Sequence, residues 1–366
     1  MEKLAFIDHS FHKKSTATKF LIDLLRKKYA VDIYWDESWM KKPGIDLSSL
    51  SIKKYDVIIL FQLIDYTIKE LKSTRCKNIV LIPMYDQSFR FFDRQWLGYS
   101  NIKFLNFSQG LHNRLKKLGL NSMHVQYFPL PDDRFHDNNT DFKFLKGFLW
   151  QRTNHITWKH ISKLIEKTEF KNFHIQGAVD PPGCPLILPT EEEEIKYNIT
   201  ISEWFENRED YFDITTRSNI YFAPRLHEGI GMSFLEAMAK GKCVVAPDNP
   251  TMNEYITNGV TGYLYNPQDP KPVDFSNALS VARNARAYME EGYKSWSIKM
   301  DKILDFIQES PDNYKVPITY YYRRAAAELQ YRALKERIKD KIAKTFPSFT
   351  NKYIRLKKQI CNIRSN

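Results

Sequence analysis

The sequence predicts two doubly wound α/β domains in tandem, followed by a basic helical tail. Short apolar segments alternate with helical segments along the chain, which is typical of parallel sheets covered by helices. This alternation restarts after the proline-rich stretch at 129–131, which indicates a linker. The chain has 366 residues, enough for two domains of ordinary size. We therefore expect a first domain over residues 1–138, a second over 139–310 and a tail over 311–366.

Strand–helix–strand units account for the first domain. A strand is expected where apolar residues follow one another in a short run, and a helix where they recur every three or four positions. By this rule the strands are 4–7, 31–34, 57–61, 79–82, 102–106 and 124–128, and the helices are 16–29, 65–72 and 111–118.

The same rule gives a second set of units after the linker. The predicted strands are 142–150, 172–176, 198–201, 220–223 and 243–246, and the predicted helices are 158–167, 234–240, 273–288 and 293–307. Each half is then a Rossmann-like domain. Ligands in such sheets bind beyond the carboxyl ends of the strands, so we expect a binding cleft between the two domains.

The composition excludes several classes of protein. The four cysteines are widely spaced and form no Cys-x-x-Cys pair, which argues against a disulfide framework or a zinc site and favours a reducing compartment. The first residues run directly into a strand and lack the apolar region of a signal peptide. The longest apolar run, 57–61, is too short to cross a bilayer. We expect a cytoplasmic protein.

The net charge of +12 is concentrated in the tail. Residues 318–366 hold 13 Lys and Arg against 3 Asp and Glu. A nucleic-acid-binding protein more often carries its basic surface on a folded domain, so we expect no nucleic-acid partner. A basic tail is equally typical of a protein that touches an anionic membrane.

Two helices are expected in this tail, an amphipathic one over 325–344 and a basic one over 352–363, separated by Pro347. A basic amphipathic helix can lie in a membrane interface, here the inner face of the membrane. It can also pack on the N-terminal domain of its own chain. We favour packing for residues 320 to about 334 and membrane contact for the rest.

The segment around Glu228-Gly-Ile-Gly-Met-Ser-Phe-Leu-Glu236 predicts a phosphate site. It combines a short buried strand, a Gly-x-Gly turn and a helix, and a helix N-terminus behind such a turn offers free backbone N–H groups and a positive dipole end. Glu228 precedes the turn and Glu236 lies one turn into the helix. Each glutamate could reach a group on one side of a bound phosphate, which is the layout of a nucleotide-sugar.

The run from Glu228 to Ala246, with the later stretches 253–256 and 258–264, resembles the C-terminal half of retaining glycosyltransferase family 4, a family of the group 1 glycosyl transferases. That family's pattern is E-G-x-G-x-x-x-L-E-A-M-A-x-G-x-P-V-V, then E-x-I and G-x-x-G-x-L. The resemblance covers about 40 residues tightly. It implies the GT-B fold, with the nucleotide-sugar donor on the C-terminal domain and the acceptor mostly on the N-terminal one.

The resemblance implies a donor-binding role for the whole turn. Glu228 takes the position that contacts the donor sugar near the reacting centre, and Glu236 the position that binds the ribose hydroxyls. The diphosphate would meet backbone N–H groups of the turn and the helix start, at Gly229, Gly231, Met232 and Ser233. Carboxylates accept paired hydrogen bonds from neighbouring hydroxyls, which agrees with these roles. Alternatively, Glu236 is an exposed helix glutamate and Glu228 a carboxylate that complements the helix dipole.

An arginine and a lysine neutralise the departing diphosphate in this family. Arg152 and Lys159 are the candidates here, although the loop lacks the glycines of the family's motif, and both could be plain surface charges. Gly177 follows a strand at the position of the family's glycine loop. It could let the nucleotide approach closely or simply form a turn.

Three further residues lie where the chain departs from the family's pattern. Arg225 and His227 replace the commoner small residues before Glu228. Either could add positive charge near the phosphates, and His227 could equally be a packed turn histidine. Asp86 follows a strand and faces the predicted cleft, near the place where the family often has a catalytically relevant histidine.

The sequence therefore predicts a retaining hexosyltransferase that moves a sugar from a nucleoside-diphosphate sugar to an acceptor hydroxyl. It has no Asp-x-Asp motif, so we expect neither a metal ion nor a cofactor. The acceptor would be a saccharide or a lipid-linked sugar, as in bacterial surface polysaccharide or glycolipid assembly. One alternative is a nucleotide-sugar epimerase or a phosphorylase on the same fold, and another is a non-catalytic GT-B partner subunit.

Overall fold

The computed structural model describes residues 1–64, 66–131, 142–180, 183–203 and 208–345. It contains two parallel six-stranded sheets with helices packed against them, which confirms the predicted tandem α/β architecture. The predicted boundary at 138–139 lies outside the described residues.

The first sheet has the strand order β2-β1-β3-β4-β5-β6, which is the flavodoxin-like order with its switch point between β1 and β3. Its strands are β1 (Glu2–His9), β2 (Tyr29–Asp36), β3 (Val57–Phe61), β4 (Asn78–Ile82), β5 (Lys103–Asn106) and β6 (Ser122–His124). The helices of this half are α1 (Phe11–Ser15), α2 (Lys19–Leu25), α3 (Leu50–Lys53), α4 (Ile68–Ser73), α5 (Tyr85–Ser88), α6 (Asp93–Trp96) and α7 (Gln109–Lys117).

The second sheet has the order β12-β11-β10-β7-β8-β9, the Rossmann order with its switch point between β7 and β10. Its strands are β7 (Lys146–Trp150), β8 (Asn172–Gln176), β9 (Ile199–Ser202), β10 (Ile220–Phe222), β11 (Cys243–Pro247) and β12 (Tyr263–Tyr265). The helices that follow are α8 (Trp158–Ile165), α9 (Glu191–Tyr197), α10 (Arg208–Thr216), α11 (Met232–Ala239), α12 (Met252–Tyr255), α13 (Ala278–Gln308) and α14 (Tyr320–Thr345).

The central strands were predictable because helices cover both faces of each sheet. Every residue of β3 and of β11 is buried, so these strands appear in the sequence as unbroken apolar runs. The two halves also share apolar contacts at the cleft. One buried cluster joins Met84 and Phe128 of the first half to Ile230, Phe234 and Tyr255 of the second.

Several predicted boundaries in the first half are wrong. The predicted helix 16–29 is only α2 (Lys19–Leu25), and a separate short helix, α1, precedes it and ends where Thr16 adopts a left-handed conformation (φ 54°). The last residue of the predicted helix, Tyr29, pairs with Glu2 as the first residue of β2. The predicted strand 124–128 ends at His124, since the backbone N–H of Tyr127 donates to the hydroxyl of Tyr255 in the second half instead of to a neighbouring strand.

The predicted helices 273–288 and 293–307 are one helix of 31 residues, α13. Gly292 does not break it. A Cβ atom at this glycine would lie 2.1 Å from the ring of Phe128, so the glycine lets the first half pack closely against the helix. The end of α13 reaches the first sheet, where the buried amino group of Lys103 donates to the carbonyls of Phe306 (2.7 Å) and Ile307 (2.8 Å). Burial lowers the pKa of Lys103 to about 8.

The tail helix α14 packs on the first half at its beginning, as predicted. Ala325 is buried there with Tyr322 and Ala326 against it, and Arg94 of α6 forms an ion pair with Glu328 at 2.5 Å. From residue 327 to 341 the described side chains are exposed, so the burial expected from packing to about residue 334 ends earlier than predicted. The predicted basic helix 352–363 lies outside the described residues. None of the helices in the described ranges combines the length and apolar character needed to cross a membrane.

Candidate active site

The candidate site lies at the switch point of the second sheet. β7 and β10 are neighbouring parallel strands, so the residues that follow them emerge side by side at the same edge. Arg152 follows β7, and Arg225 and Glu228 follow β10. The sheet order thus brings together residues that are more than 70 positions apart in the sequence.

Gly231 starts α11 in a conformation that only glycine adopts readily. Its φ is 80°, and a Cβ atom at this position would lie 2.0 Å from the ring of Phe234. Gly231 has no side chain to cap the helix. The first backbone N–H groups of α11, at Met232 and Ser233, therefore have no partner within the helix. This is the geometry that the sequence predicts for phosphate binding.

Glu228 is buried just before this turn, with 7 % of its surface exposed. Its backbone N–H donates to the carbonyl of Pro250 at 3.1 Å, while its Oε1 is buried without a hydrogen-bond partner among the described residues. Burial raises the pKa of Glu228 above its usual value, and the nearby charges of Arg225 and Arg152 oppose that rise. The carboxylate thus lies buried beside two guanidiniums, with its Oε1 left for a ligand.

Ion pairs connect the two arginines of the site. Both the Nε and the Nη2 of Arg152 donate to Asp180, at 3.0 and 2.8 Å. The guanidinium of Arg152 also lies 4.5 Å from the ring centre of Trp150. Asp180 accepts a second contact from Arg225, which in turn donates to Asp86 at 3.0 Å. Arg225 therefore links the second half to a carboxylate of the first.

The charges in this network shift one another's ionisation. Burial raises the pKa of Asp86, and Arg225 opposes that effect. Burial by itself would lower the pKa of Arg225, but the carboxylates of Glu228, Asp180 and Asp86 hold it above its usual value. Arg225 therefore stays charged at every ordinary pH.

His227 packs against the first half. Its ring centre lies 4.4 Å from that of Phe89 and 5.7 Å from that of Tyr85. Burial lowers the pKa of His227, so the ring is neutral near pH 7. These contacts favour the interpretation as a packed turn histidine over that of an added positive charge.

The two other glycines have different surroundings. A Cβ atom at Gly229 would lie 2.6 Å from the sulfur of Met84, so this glycine lets the first half approach the turn. Gly177 donates its backbone N–H to the carbonyl of Ser202 at 2.7 Å, and a Cβ atom there would lie 3.0 Å from Leu186. Its φ is not positive. This favours a plain turn at Gly177.

Glu236 and Lys159 differ in their surroundings. Glu236 is half-buried on α11, and its charge contributes to raising the pKa of the half-buried Tyr211, after burial itself and Tyr221. Lys159 is the second residue of α8 and is exposed. Within the described part of the chain its amino group has no hydrogen bond or ion pair.

Sequence reasoning missed Asp180, which binds both guanidiniums. An acidic residue in the loop after β8, beside the strand that ends at Trp150, was the available signal.

Sequence reasoning also missed that Glu254 of α12 caps α7 in the first half. Glu254 accepts from the backbone N–H groups of Gln109 (2.7 Å) and Gly110 (2.9 Å). This contact holds the two halves together beside the site.

Residues 183–280 match the family model described as glycosyl transferases group 1. The matched segment covers about a quarter of the chain and includes Glu228, Gly231 and Glu236. No curated protein matches the chain in sequence.

Solved structures of similar fold span nearly the whole architecture. Sucrose-phosphate synthase from Thermosynechococcus elongatus has a TM-score of 0.57 at 13 % identity, with 83 % of this chain and 98 % of that chain covered. HepE from Anabaena, in complex with UDP and glucose, has a TM-score of 0.55 at 13 % identity, covering 83 % and 100 %. The lipopolysaccharide outer core galactosyltransferase WaaB in its apo form has a TM-score of 0.50 at 16 % identity, covering 89 % and 99 %. The chain therefore has the GT-B fold, as its sequence predicts.

Proposed function

We propose that this chain is a retaining glycosyltransferase that moves a hexose from a nucleoside-diphosphate sugar to an acceptor hydroxyl. The premise is the group 1 glycosyl transferase segment at 183–280 on a GT-B fold. The observation that carries the proposal is the N-terminus of α11, which Gly231 leaves without a side-chain cap. Glu228 precedes it, Glu236 follows it, and the guanidiniums of Arg152 and Arg225 follow the neighbouring strands.

Each part of the donor has a matching group in this arrangement. The diphosphate would accept hydrogen bonds from the N–H groups at the start of α11, since a helix N-terminus favours negative charge. Glu236 would bind the ribose hydroxyls and Glu228 the sugar hydroxyls. The Anabaena neighbour was solved with UDP and glucose, which makes UDP-glucose the first donor to test.

The transfer needs no covalent intermediate on the enzyme. The bond between the anomeric carbon and the phosphate oxygen breaks, and a bond from that carbon to the acceptor oxygen forms on the same face of the sugar. The acceptor's proton passes to the departing phosphate. Arg152, Lys159 and the helix N-terminus would stabilise the leaving charge without a metal ion, and one such donor is worth about 3 kcal/mol, or about a hundredfold in rate.

We also propose that the tail brings the enzyme to an anionic membrane and hence to a lipid-linked acceptor. On α14, Tyr320, Tyr331, Leu334 and Ile338 are each at least half exposed and recur at helical spacing. They lie on the side of the helix turned away from Ala325, which packs on the first half. The exposed basic residues beside them are Arg323, Arg324, Lys335 and Lys341. An apolar stripe flanked by basic residues suits a membrane interface.

The decisive experiment measures donor binding and turnover together. UDP-, GDP- and TDP-sugars are screened for an increase in melting temperature, and release of free nucleoside diphosphate is then followed for the wild type and Glu228→Ala. We expect the variant to lose turnover, because the buried carboxylate positions the sugar. Glu192→Ala, an exposed glutamate on α9, is the matched control.

Three results would contradict the proposal. Normal turnover in Glu228→Ala would remove the site assignment. Consumption of donor without acceptor, with a nucleotide-linked sugar as product, would indicate an epimerase. If no nucleotide-sugar raised the melting temperature, a non-catalytic partner subunit would be the better interpretation.

A further inference from the structure

Two positions at which this chain departs from the pattern of family 4 contact each other. Asp86 stands on α5 of the first half, near the place where that family often has a histidine, and Arg225 stands where it commonly has a small residue. Their side chains form an ion pair across the domain boundary at 3.0 Å. The two departures thus form one cross-domain feature of the cleft.

Four buried polar atoms of the residues in and next to this contact have no hydrogen-bond partner in the described part of the chain. They are Oε1 of Glu228, Oδ1 of Asp86, Nε of Arg225 and Nδ1 of His227. Buried polar atoms in folded proteins are nearly always paired, so four together call for a ligand that supplies the partners. Oxygens of two carboxylates accept hydrogen bonds, which a sugar's hydroxyl groups donate.

The carboxylates are close enough to sense each other. The charges of Asp86 and Asp180 add to the effect of burial in raising the pKa of Glu228. Three carboxylates thus share two guanidiniums in this network, before any diphosphate enters. A sugar with a carboxylate of its own would add a further negative charge among them, whereas hydroxyls or an amino group would pair with the free oxygens.

We propose that Asp86 is a second sugar-binding carboxylate, opposite Glu228, and that together they select a neutral hexose or an amino sugar and reject a hexuronic acid. This inference rests on the proposed function and names the class of donor. Glu228 holds the sugar from the domain that binds the nucleotide, and Asp86 holds it from the other domain. The sugar subsite is therefore complete only when α5 lies against the turn before α11.

The test separates the sugar's contribution to binding from that of the nucleotide. Dissociation constants for UDP and UDP-glucose are measured by calorimetry on the wild type, Asp86→Ala, Asp86→Asn and the exposed control Asp301→Ala. In parallel, GDP is compared with GDP-mannose and TDP with TDP-glucose. We expect Asp86→Ala to leave the nucleotide's affinity within about twofold and to weaken the sugar nucleotide about tenfold or more, the worth of a hydrogen bond to a charged group. Asp86→Asn, whose amide oxygen still accepts a hydrogen bond, recovers part of the loss.

A purely structural role predicts a different result. If Asp86 only holds the domains together, its loss changes the affinity for the nucleotide and for the sugar nucleotide equally, and the inference is overturned. It is also overturned if the wild type binds UDP-glucuronate as tightly as UDP-glucose. If none of the nucleotides binds the wild type, the proposed donor site itself fails, which is a separate outcome.

Discussion

Replacing Gly231 with alanine tests the donor turn directly. The substitution adds one methyl group to a residue with φ 80°, and that methyl would lie 2.0 Å from Cε1 and 2.6 Å from Cδ1 of Phe234. Phe234 is fully buried and its ring contacts Tyr255. We therefore expect the turn to move rather than the ring.

The expected loss of stability has two parts. A non-glycine residue in the left-handed conformation costs about 1–2 kcal/mol. Overpacking a well-filled core costs about 1–3 kcal/mol more. Gly259→Ala is a matched control for the first part, because Gly259 has φ 74° and no atom would lie within 4 Å of its added Cβ. The difference between the two variants measures the clash with Phe234.

The assay is urea unfolding together with nucleotide binding. We expect Gly231→Ala to unfold at lower urea than Gly259→Ala, with the difference in unfolding free energy near 1–3 kcal/mol. We also expect it to lose most of its affinity for UDP, because the N–H groups at the start of α11 move with the turn. If Gly231→Ala is as stable as the control and binds UDP like the wild type, the added methyl does not clash with Phe234 and the turn is not a phosphate site.

Three further predictions concern contacts outside the donor turn. Burial holds the pKa of Lys103 near 8 in the folded state, against 10.5 in the unfolded chain, so the unfolded state binds more protons between these pH values. The unfolding free energy of the wild type should therefore rise by up to about 3 kcal/mol relative to Lys103→Met as the pH rises from 8 to 10.5. A constant difference in urea unfolding across this range would contradict the assignment. Glu254→Ala removes the acceptor for the N–H groups of Gln109 and Gly110 and should lower the unfolding free energy by about 1–3 kcal/mol, whereas the exposed control Glu291→Ala should change it little. A chain ending at residue 334 loses Ile338, Lys335 and Lys341 and should float less with vesicles rich in phosphatidylglycerol, yet keep its turnover on a soluble acceptor. Equal flotation of both forms would exclude a membrane role for the residues after 334.

The sequence predicts those features that depend on local pattern. β8 has the predicted bounds, and the strands on either side of each switch point were found, because buried parallel strands appear as apolar runs. β12 was missed because it has only three residues, two of them half-buried. The break expected within α13 was wrong, since the packing of Phe128 against Gly292 overrides the low helix propensity of glycine.

The same division holds at the site. Glu228 and Gly231 could be found because their spacing around a single turn carries the information. The pair Asp86–Arg225 could not, because 139 positions separate its members and no local signal shows which loops meet across the cleft. Asp180 is an intermediate case, since its strand was predicted but its choice of partner depends on the sheet order.

The contacts between the end of α13 and the first sheet affect when the first half can fold during synthesis on the ribosome. Lys103 and Asn78 of that sheet bond to carbonyls at the end of α13, and Ala325 of α14 enters the same half's core. The first half therefore cannot finish its core until more than 300 residues have been synthesised. We therefore expect a fragment that carries only the first half to expose the apolar surface that these late segments cover.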